Sequence, residues 1–261
     1  MTILQAVILG VVQGVTEFLP VSSSGHLLIV PALLGWPEQA IAFDVAVHVA
    51  TLVAVVVALR EEIWQVGSQA VKSSGPERSL VVKIIIATIP AALVAFAFGD
   101  WLDLARTPLV VGGALIFWGV LLGVMDYFAK GRKPTLIAAT SWRDALLLGA
   151  AQALALIPGT SRSGVTVTTG LALGLSRETA ARFSFLLAIP AIAGAGLLTT
   201  IDSIQNGLDV EILPLIVGFF SSMFSGLLAI RLFLYVAKHA SLMSFAVYRV
   251  LVGILILWWF M

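Results

Sequence analysis

Six stretches of the chain, roughly 41–60, 80–99, 108–127, 183–200, 211–230 and 242–261, are each long and apolar enough to cross a hydrocarbon layer about 30 Å thick. At that depth no water is present to satisfy backbone N–H and C=O groups, so a chain with spans of this length must form helices there. The sequence therefore predicts an all-α integral membrane protein of about six transmembrane helices. Composition agrees: 60% of residues are hydrophobic and 11% charged, where a soluble domain carries about 25% charged residues. The net charge of +1 offers no electrostatic footprint for nucleic acid. With no cysteine, disulfide and thiolate chemistry are excluded and the redox compartment stays open. The apolar N-terminus has no Lys or Arg ahead of it and runs into Glu17 and Pro20 without a cleavage-like site, so it is expected to remain in the mature protein.

Two further stretches, roughly 3–34 and 145–176, are apolar but broken by Pro, Gly and polar clusters, and neither half of either is comfortably long enough to span. Basic residues fall on alternate connections: Arg60, Lys72, Arg78 and Lys83; then Lys130, Arg132, Lys133 and Arg143; then Arg177 and Arg182; then Arg231 and Lys238. The other connections carry Asp100, Asp103 and Arg106, then Asp202, Asp209 and Glu211. By the positive-inside rule the first set is cytoplasmic. The six spans then alternate only if each broken stretch enters and leaves on one side, as a re-entrant hairpin. "AVILGVVQGVTEFLPVSSSG" (6–25) matches "ALLLGAAQALALIPGTSRSG" (145–164), pairing Gly10 with Gly149, Gln13 with Gln152, Ser24–Gly25 with Ser163–Gly164 and, after a one-residue slip, Pro20 with Pro158. This predicts a single polytopic domain of two inverted halves, 1–130 and 131–261, whose broken helices meet at one central site.

The polar tips supply the candidate chemistry. In "PGTSRSG" (158–164), Arg162 is flanked by Thr160, Ser161 and Ser163, with Gly159 and Gly164 freeing the backbone and Thr166, Thr168 and Thr169 following. A guanidinium fork at the start of a helix suits phosphate oxygens. The small residues Ser24, Gly25, Ser163 and Gly164 serve equally well to let helices pack closely. An intramembrane Arg, by contrast, is costly and usually marks a site. In "QGVTEFLPVSSSGH" (13–26), Gln13 and Glu17 stand one helical turn apart and face the same way. They could hold a hard divalent cation; Glu17 could instead act as a general base or simply pair with Arg162. His26 lies beside Ser22, Ser23 and Ser24, and Ser23 is three residues before it, close enough for the imidazole to activate the hydroxyl. His48, inside the first span at i+4 from Asp44, could line the cavity but reads first as a packing or hydrogen-bonding residue, and the segment from Gly67 to Arg78 as a solvated connection.

With both tips in view, the chain closely resembles the undecaprenyl-diphosphate phosphatase family of the bacitracin-resistance (BacA/UppP) type. "QGVTEFLPVSSSGH" matches its Glu/Gln-x-x-x-Glu and Ser-rich motif, "PGTSRSG" its second motif, and "FDVAVHVATL" (43–52) and "RFSFLLAIPA" (182–191) further segments. The resemblance covers essentially the whole chain. It implies a multi-pass inner-membrane hydrolase, with its site towards the periplasmic side, that removes the terminal phosphate from a long polyprenyl diphosphate and returns lipid monophosphate to cell-wall synthesis. It also implies a Mg²⁺ or Ca²⁺ cofactor, a homodimer, and indirect competition by bacitracin, which binds the lipid substrate. Carried over by position, the implied functional residues are Gln13, Glu17, Ser22, Ser23, His26, Ser161, Arg162, Ser163 and Thr166. Gln13 stands where some members have Glu, which leaves Glu17 as the main anionic metal ligand.

The mechanism expected from these residues puts the diphosphate on Arg162 and the surrounding Ser22, Ser24, Gly25, Ser161, Ser163, Gly164 and Thr166. Glu17 with Gln13 holds the metal, and Ser23 or His26 attacks phosphorus or activates the water that does. Broken helices meeting midway are equally transporter architecture, so a carrier that flips the lipid monophosphate is the alternative. The Glu17–Ser23–His26 cluster favours the enzyme, since carriage needs no nucleophile.

Overall fold

A computed structural model of the chain describes residues 1–72, 75–205 and 211–260. Among these, the elements are α1 (Ile3–Phe18), α2 (Ser23–Leu34), α3 (Ile41–Ala58), α4 (Arg60–Lys72), α5 (Pro76–Leu104), α6 (Pro108–Phe128), α7 (Trp142–Leu154), α8 (Arg162–Ala172), α9 (Arg177–Gln205), α10 (Ile212–His239) and α11 (Met243–Phe260), with one short 3-10 turn at Ile137–Ala139. Six helices are long and apolar enough to cross a bilayer, at Ile41–Ala58, Arg78–Gly99, Pro108–Phe128, Arg177–Leu198, Ile212–His239 and Met243–Phe260. These are the six expected spans. The two broken stretches are helix pairs, α1–α2 and α7–α8.

Two boundaries differ from the hydropathy pattern for a physical reason. α9 begins at Arg177 because its polar first turns have partners: Ser176 accepts the Thr179 backbone N–H at 3.1 Å, Arg177 pairs with the buried Asp126 of α6, and Arg182 pairs with Glu178 and with Glu62 of α4. The segment expected as a solvated connection is in part helical, since α4 covers Gly67 to Lys72. Its Ile63 and Val66, three residues apart, pack into two apolar clusters of the bundle. Lys83, counted among the flanking charges, is instead buried; its ammonium donates to the Thr140 carbonyl at 2.6 Å and lies 5.5 Å from the Trp142 ring centre. Of the residues used to assign sides, Asp209 lies outside the described residues, as do the side chains of Lys72, Asp100, Asp103 and Asp202.

The packing interleaves the two broken pairs with the far end of the chain. α1 lies along α10, α7 along α5, and α6 along α11. Glycine makes the first of these crossings close, as small residues do where no hydrophobic effect drives helices together. A Cβ built on Gly14 would sit 2.3 Å from the Ser222 carbonyl oxygen and 2.7 Å from the Gly226 nitrogen, both backbone atoms that cannot swing away. Gly149 meets the backbone of Ala87 on α5 in the same manner, at 2.2 Å. Gly14→Val should therefore push α1 off α10 at a cost at the upper end of the 1–3 kcal/mol typical of overpacking. The check is thermal unfolding in detergent, read beside Gly113→Val, whose Cβ position is open; equal melting of the two variants would refute the close crossing.

Each broken pair turns on a serine. Ser22 (φ 76°) and Ser161 (φ 72°) are the two non-glycine residues with positive φ among the described residues, and they occupy equivalent positions in the repeat. Each is the N-cap of the helix that follows: Ser22 Oγ accepts the Gly25 N–H at 3.4 Å, and Ser161 Oγ accepts the Gly164 N–H at 3.1 Å. A left-handed backbone at a residue with a side chain costs on the order of 1–3 kcal/mol and persists only where its surroundings over-determine it. These two turns aim Ser23 and Arg162, the first residues of α2 and α8, into the space between the pairs.

Candidate functional site

Glu17 lies in the last turn of α1 and is almost fully buried. Burying a lone carboxylate in a bilayer is prohibitive, so its partners define the site. Its Oε1 accepts from Arg162 Nη2 at 3.1 Å. Its Oε2 accepts from Gln13 Nε2 at 3.0 Å and from the Ser23 hydroxyl at 2.7 Å. His48 Nε2, from α3, stands 4.0 Å from the same Oε2. Gln13, Glu17, Ser23 and Arg162, singled out from two distant motifs, thus form one cluster, and His48, expected first as a packing or hydrogen-bonding residue, joins them from α3. His48 does hydrogen-bond as that reading expected, its Nδ1 lying 2.7 Å from the Asp44 carbonyl.

Arg162 is the first residue of α8. Besides Glu17 it donates from Nη1 to the Ser184 carbonyl at 3.2 Å, and its buried Nε has no protein acceptor. A fork with one arm on a carboxylate and a spare donor is an anion site held by a placeholder. The hydroxyls around it are mostly occupied in holding the tips together. Ser163 donates to the Leu19 carbonyl at 2.9 Å and lies 3.2 Å from Ser161 Oγ, so the second tip is fastened to the end of α1. Thr166 donates to the Arg162 carbonyl at 2.7 Å and shares a 2.6 Å hydrogen bond with Ser184. Ser22 and Ser161 are spent as caps, and Gly25 is packed against Val111. Ser24 is exposed and lies 3.4 Å from Ser22 Oγ.

His26 does not pair with Ser23. Its Nδ1 is 2.7 Å from the Ser22 carbonyl, which can only accept, so Nδ1 carries the proton. Its Nε2 is 2.7 Å from the hydroxyl of Tyr248 on α11, and the two rings are nearly parallel. Both nitrogens are engaged, and the base facing Ser23 is Glu17. The expected His26–Ser23 pairing fails because Ser23 sits at the start of α2, pointing back to α1, while His26 points on towards α11.

One residue escaped the sequence reading altogether. Arg249, in the middle of α11, is fully buried and pairs with no carboxylate among the described residues; its guanidinium donates to the Pro20 carbonyl at 3.0 Å, Gly159 at 3.2 Å and Thr160 at 2.7 Å. Pro20 belongs to the first tip, Gly159 and Thr160 to the second, so this side chain fastens both from behind. Gly164 makes room for it: a Cβ there would lie 2.3 Å from Arg249 Nη1. The signal was available, since a lone Arg inside an apolar span is as costly there as at Arg162.

Among the described residues no group of three or more His, Asp or Glu side chains converges as a metal cage. What the cluster offers a cation is the Glu17 carboxylate and the Gln13 Oε1, a fully buried oxygen without a hydrogen-bond partner. One carboxylate and one amide oxygen suit a hard divalent ion that draws its remaining ligands from water and from substrate phosphates. The residues present fit that mode of binding.

Comparison with known proteins agrees over the same span. The family model for bacitracin resistance protein BacA matches residues 6–255. The chain is 45% identical to the undecaprenyl-diphosphatase of Alteromonas mediterranea, over 99% of this chain and 98% of that one. It is 43% identical to undecaprenyl-diphosphatase 1 of Pseudoalteromonas translucida (97% of each) and 43% identical to undecaprenyl-diphosphatase 2 of Stutzerimonas stutzeri (98% of each). With its two motifs meeting in one buried cluster and this likeness running nearly end to end, the chain belongs to the BacA bacitracin-resistance family.

Proposed function

We propose that the chain is a polyprenyl-diphosphate phosphatase, which hydrolyses the terminal phosphate of undecaprenyl diphosphate to give undecaprenyl phosphate and inorganic phosphate. The observation that carries this reading is Glu17 bridging a hydroxyl and a guanidinium: Ser23 Oγ on one carboxylate oxygen at 2.7 Å and Arg162 Nη2 on the other at 3.1 Å. A carrier needs the guanidinium alone. The hydroxyl held against a base is the additional part that phosphoryl transfer requires.

In this mechanism the incoming diphosphate takes Arg162 from Glu17, and the spare Nε donor joins in holding the anion. The freed carboxylate accepts the Ser23 proton as Ser23 Oγ bonds to the terminal phosphorus. The P–O anhydride bond breaks in line with this attack, and its electron pair leaves with the lipid monophosphate. Water then attacks the phosphoserine: Glu17 returns its proton to Ser23 Oγ as the P–O bond breaks and takes one from the water, which regenerates the serine and releases inorganic phosphate. His26, with Nδ1–H on Ser22 and Nε2 on Tyr248, orients the turn that presents Ser23. A bound Mg²⁺ or Ca²⁺, held by Glu17 and Gln13, supplies charge neutralisation at the transferring phosphoryl group.

The polyprenyl tail lies among the spans, and the enzyme resides in the bacterial inner membrane as a homodimer. Its two halves are inverted repeats, a reading the alternation of Lys and Arg among the connections supports, and the site faces the periplasmic side, as the family resemblance implies. Bacitracin, by sequestering the diphosphate lipid, competes for the substrate and never touches the protein.

The test is phosphate release from a polyprenyl diphosphate by purified protein in detergent, with and without EDTA. Release should be lost on chelation and restored by added Mg²⁺ or Ca²⁺. A folded protein that releases no phosphate with metal present refutes the enzyme and makes lipid flipping in vesicles the next assay.

A further inference from the structure

We propose that His48 is a third protein ligand of the divalent cation, so that this chain binds metal through a mixed nitrogen and oxygen set. The inference rests on the metal-dependent phosphatase reading and goes beyond it, because His48 lies on α3, outside both motifs.

Three observations carry it. His48 Nδ1 is 2.7 Å from the Asp44 carbonyl, an oxygen that only accepts, so Nδ1 bears a proton and the ring is held with Nε2 towards the site. Fixing a ring by donating its other N–H to a backbone carbonyl is how metal-binding histidines are commonly oriented. Nε2 lies 4.0 Å from Glu17 Oε2, too far for a hydrogen bond and wide enough for an ion that both would ligate. Finally, Gln13, whose Nε2 bonds that same Oε2 at 3.0 Å, keeps its other end, the fully buried Oε1, without a partner.

The positive charge already present does not occupy this place. Arg162 sits on Oε1, the other oxygen of the carboxylate, and its remaining bond is to Ser184. The His48 side chain is 35% exposed, so it is not sealed inside the bundle. A carboxylate, an amide oxygen and an imidazole are donors that Mn²⁺ takes together, which makes it a suitable probe of this set.

The experiment uses the full chain in detergent and Mn²⁺ as the probe. Electron spin-echo spectra of the Mn²⁺-loaded wild type should show coupling to one imidazole nitrogen. The chain has three histidines, so ¹⁵N-histidine labelling with single His→Gln substitutions identifies which ring it is. His48→Gln should remove the coupling and weaken Mn²⁺ binding about tenfold or more. Bound Mn²⁺ without nitrogen coupling in the wild type overturns the proposal, whatever the variant does, as does coupling that survives His48→Gln. Phosphate release measured on the same preparation separates the two readings. Release without nitrogen coupling leaves the phosphatase standing and removes His48; coupling without release does the reverse.

Discussion

Glu17→Gln should lower kcat for phosphate release by about 10²–10⁴, the usual worth of a positioned general base, without raising KM. The amide keeps the shape of the carboxylate, and its oxygen can still accept from Ser23, so the turn at Ser22 has no reason to move. What disappears is the group that takes the Ser23 proton, the anion that competes with substrate for Arg162 and the charged ligand of the cation, so the kinetics are measured at saturating divalent metal. Relieved of that competitor, Arg162 should bind the diphosphate at least as well as before. Arg162→Ala should behave in the opposite sense, raising KM and costing a further 10²–10³ in turnover as a transition-state donor is lost. Arg162→Lys should recover little, because one ammonium cannot replace a fork that reaches Glu17 and Ser184 together. The two losses should also fail to add in the double variant, as expected of groups that act as a unit. Steady-state kinetics on variants whose melting in detergent matches the wild type decides the matter. A Glu17→Gln enzyme with near-normal kcat would remove Glu17 as the base.

The second large effect is on the fold. Arg249→Met should leave the carbonyls of Pro20, Gly159 and Thr160 buried without donors. Each orphaned acceptor costs about 1–3 kcal/mol, so the sum is comparable to the entire stability of many domains. Gly164→Ala should have a similar effect while leaving the guanidinium in place, since its Cβ would fall 2.3 Å from Arg249 Nη1. Both variants should melt well below wild type in detergent and lose activity in proportion to the folded fraction lost. Wild-type melting of an inactive Arg249→Met protein would instead mean that this side chain meets substrate.

What the sequence disclosed follows from the range over which each kind of signal acts. The spans were legible because a helix in hydrocarbon must be apolar along its whole length, and the broken pairs because no other apolar stretch is interrupted by Pro, Gly and hydroxyls in so close a cluster. Glu17 and Arg162 stood out through the cost of a charge in that setting. Contacts across helices were not legible: Tyr248 reaches His26 from 222 positions away, and His48 reaches Glu17 from α3. His26 was matched with Ser23 because the two are neighbours in sequence, where the direction of each side chain depends on the left-handed turn at Ser22. α4 was passed over because its apolar positions are few and its first turn carries Arg60, Glu61 and Glu62. Arg249 was hidden only by the strength of the apolar pattern on either side of it.

The Glu17–Arg162 pair also bears on how the enzyme would be inhibited. In the resting protein the guanidinium already has an anionic partner, so a lipid analogue gains from Arg162 only if its head can displace a carboxylate. Neutral head groups, however well their tails fit, would have to leave that pair intact and bind beside it. Compounds carrying a diphosphate mimic of at least two negative charges can make the exchange, and each would release Glu17 as it binds. Selective inhibitors of this fold are therefore to be sought among lipids with charged heads rather than among neutral ones.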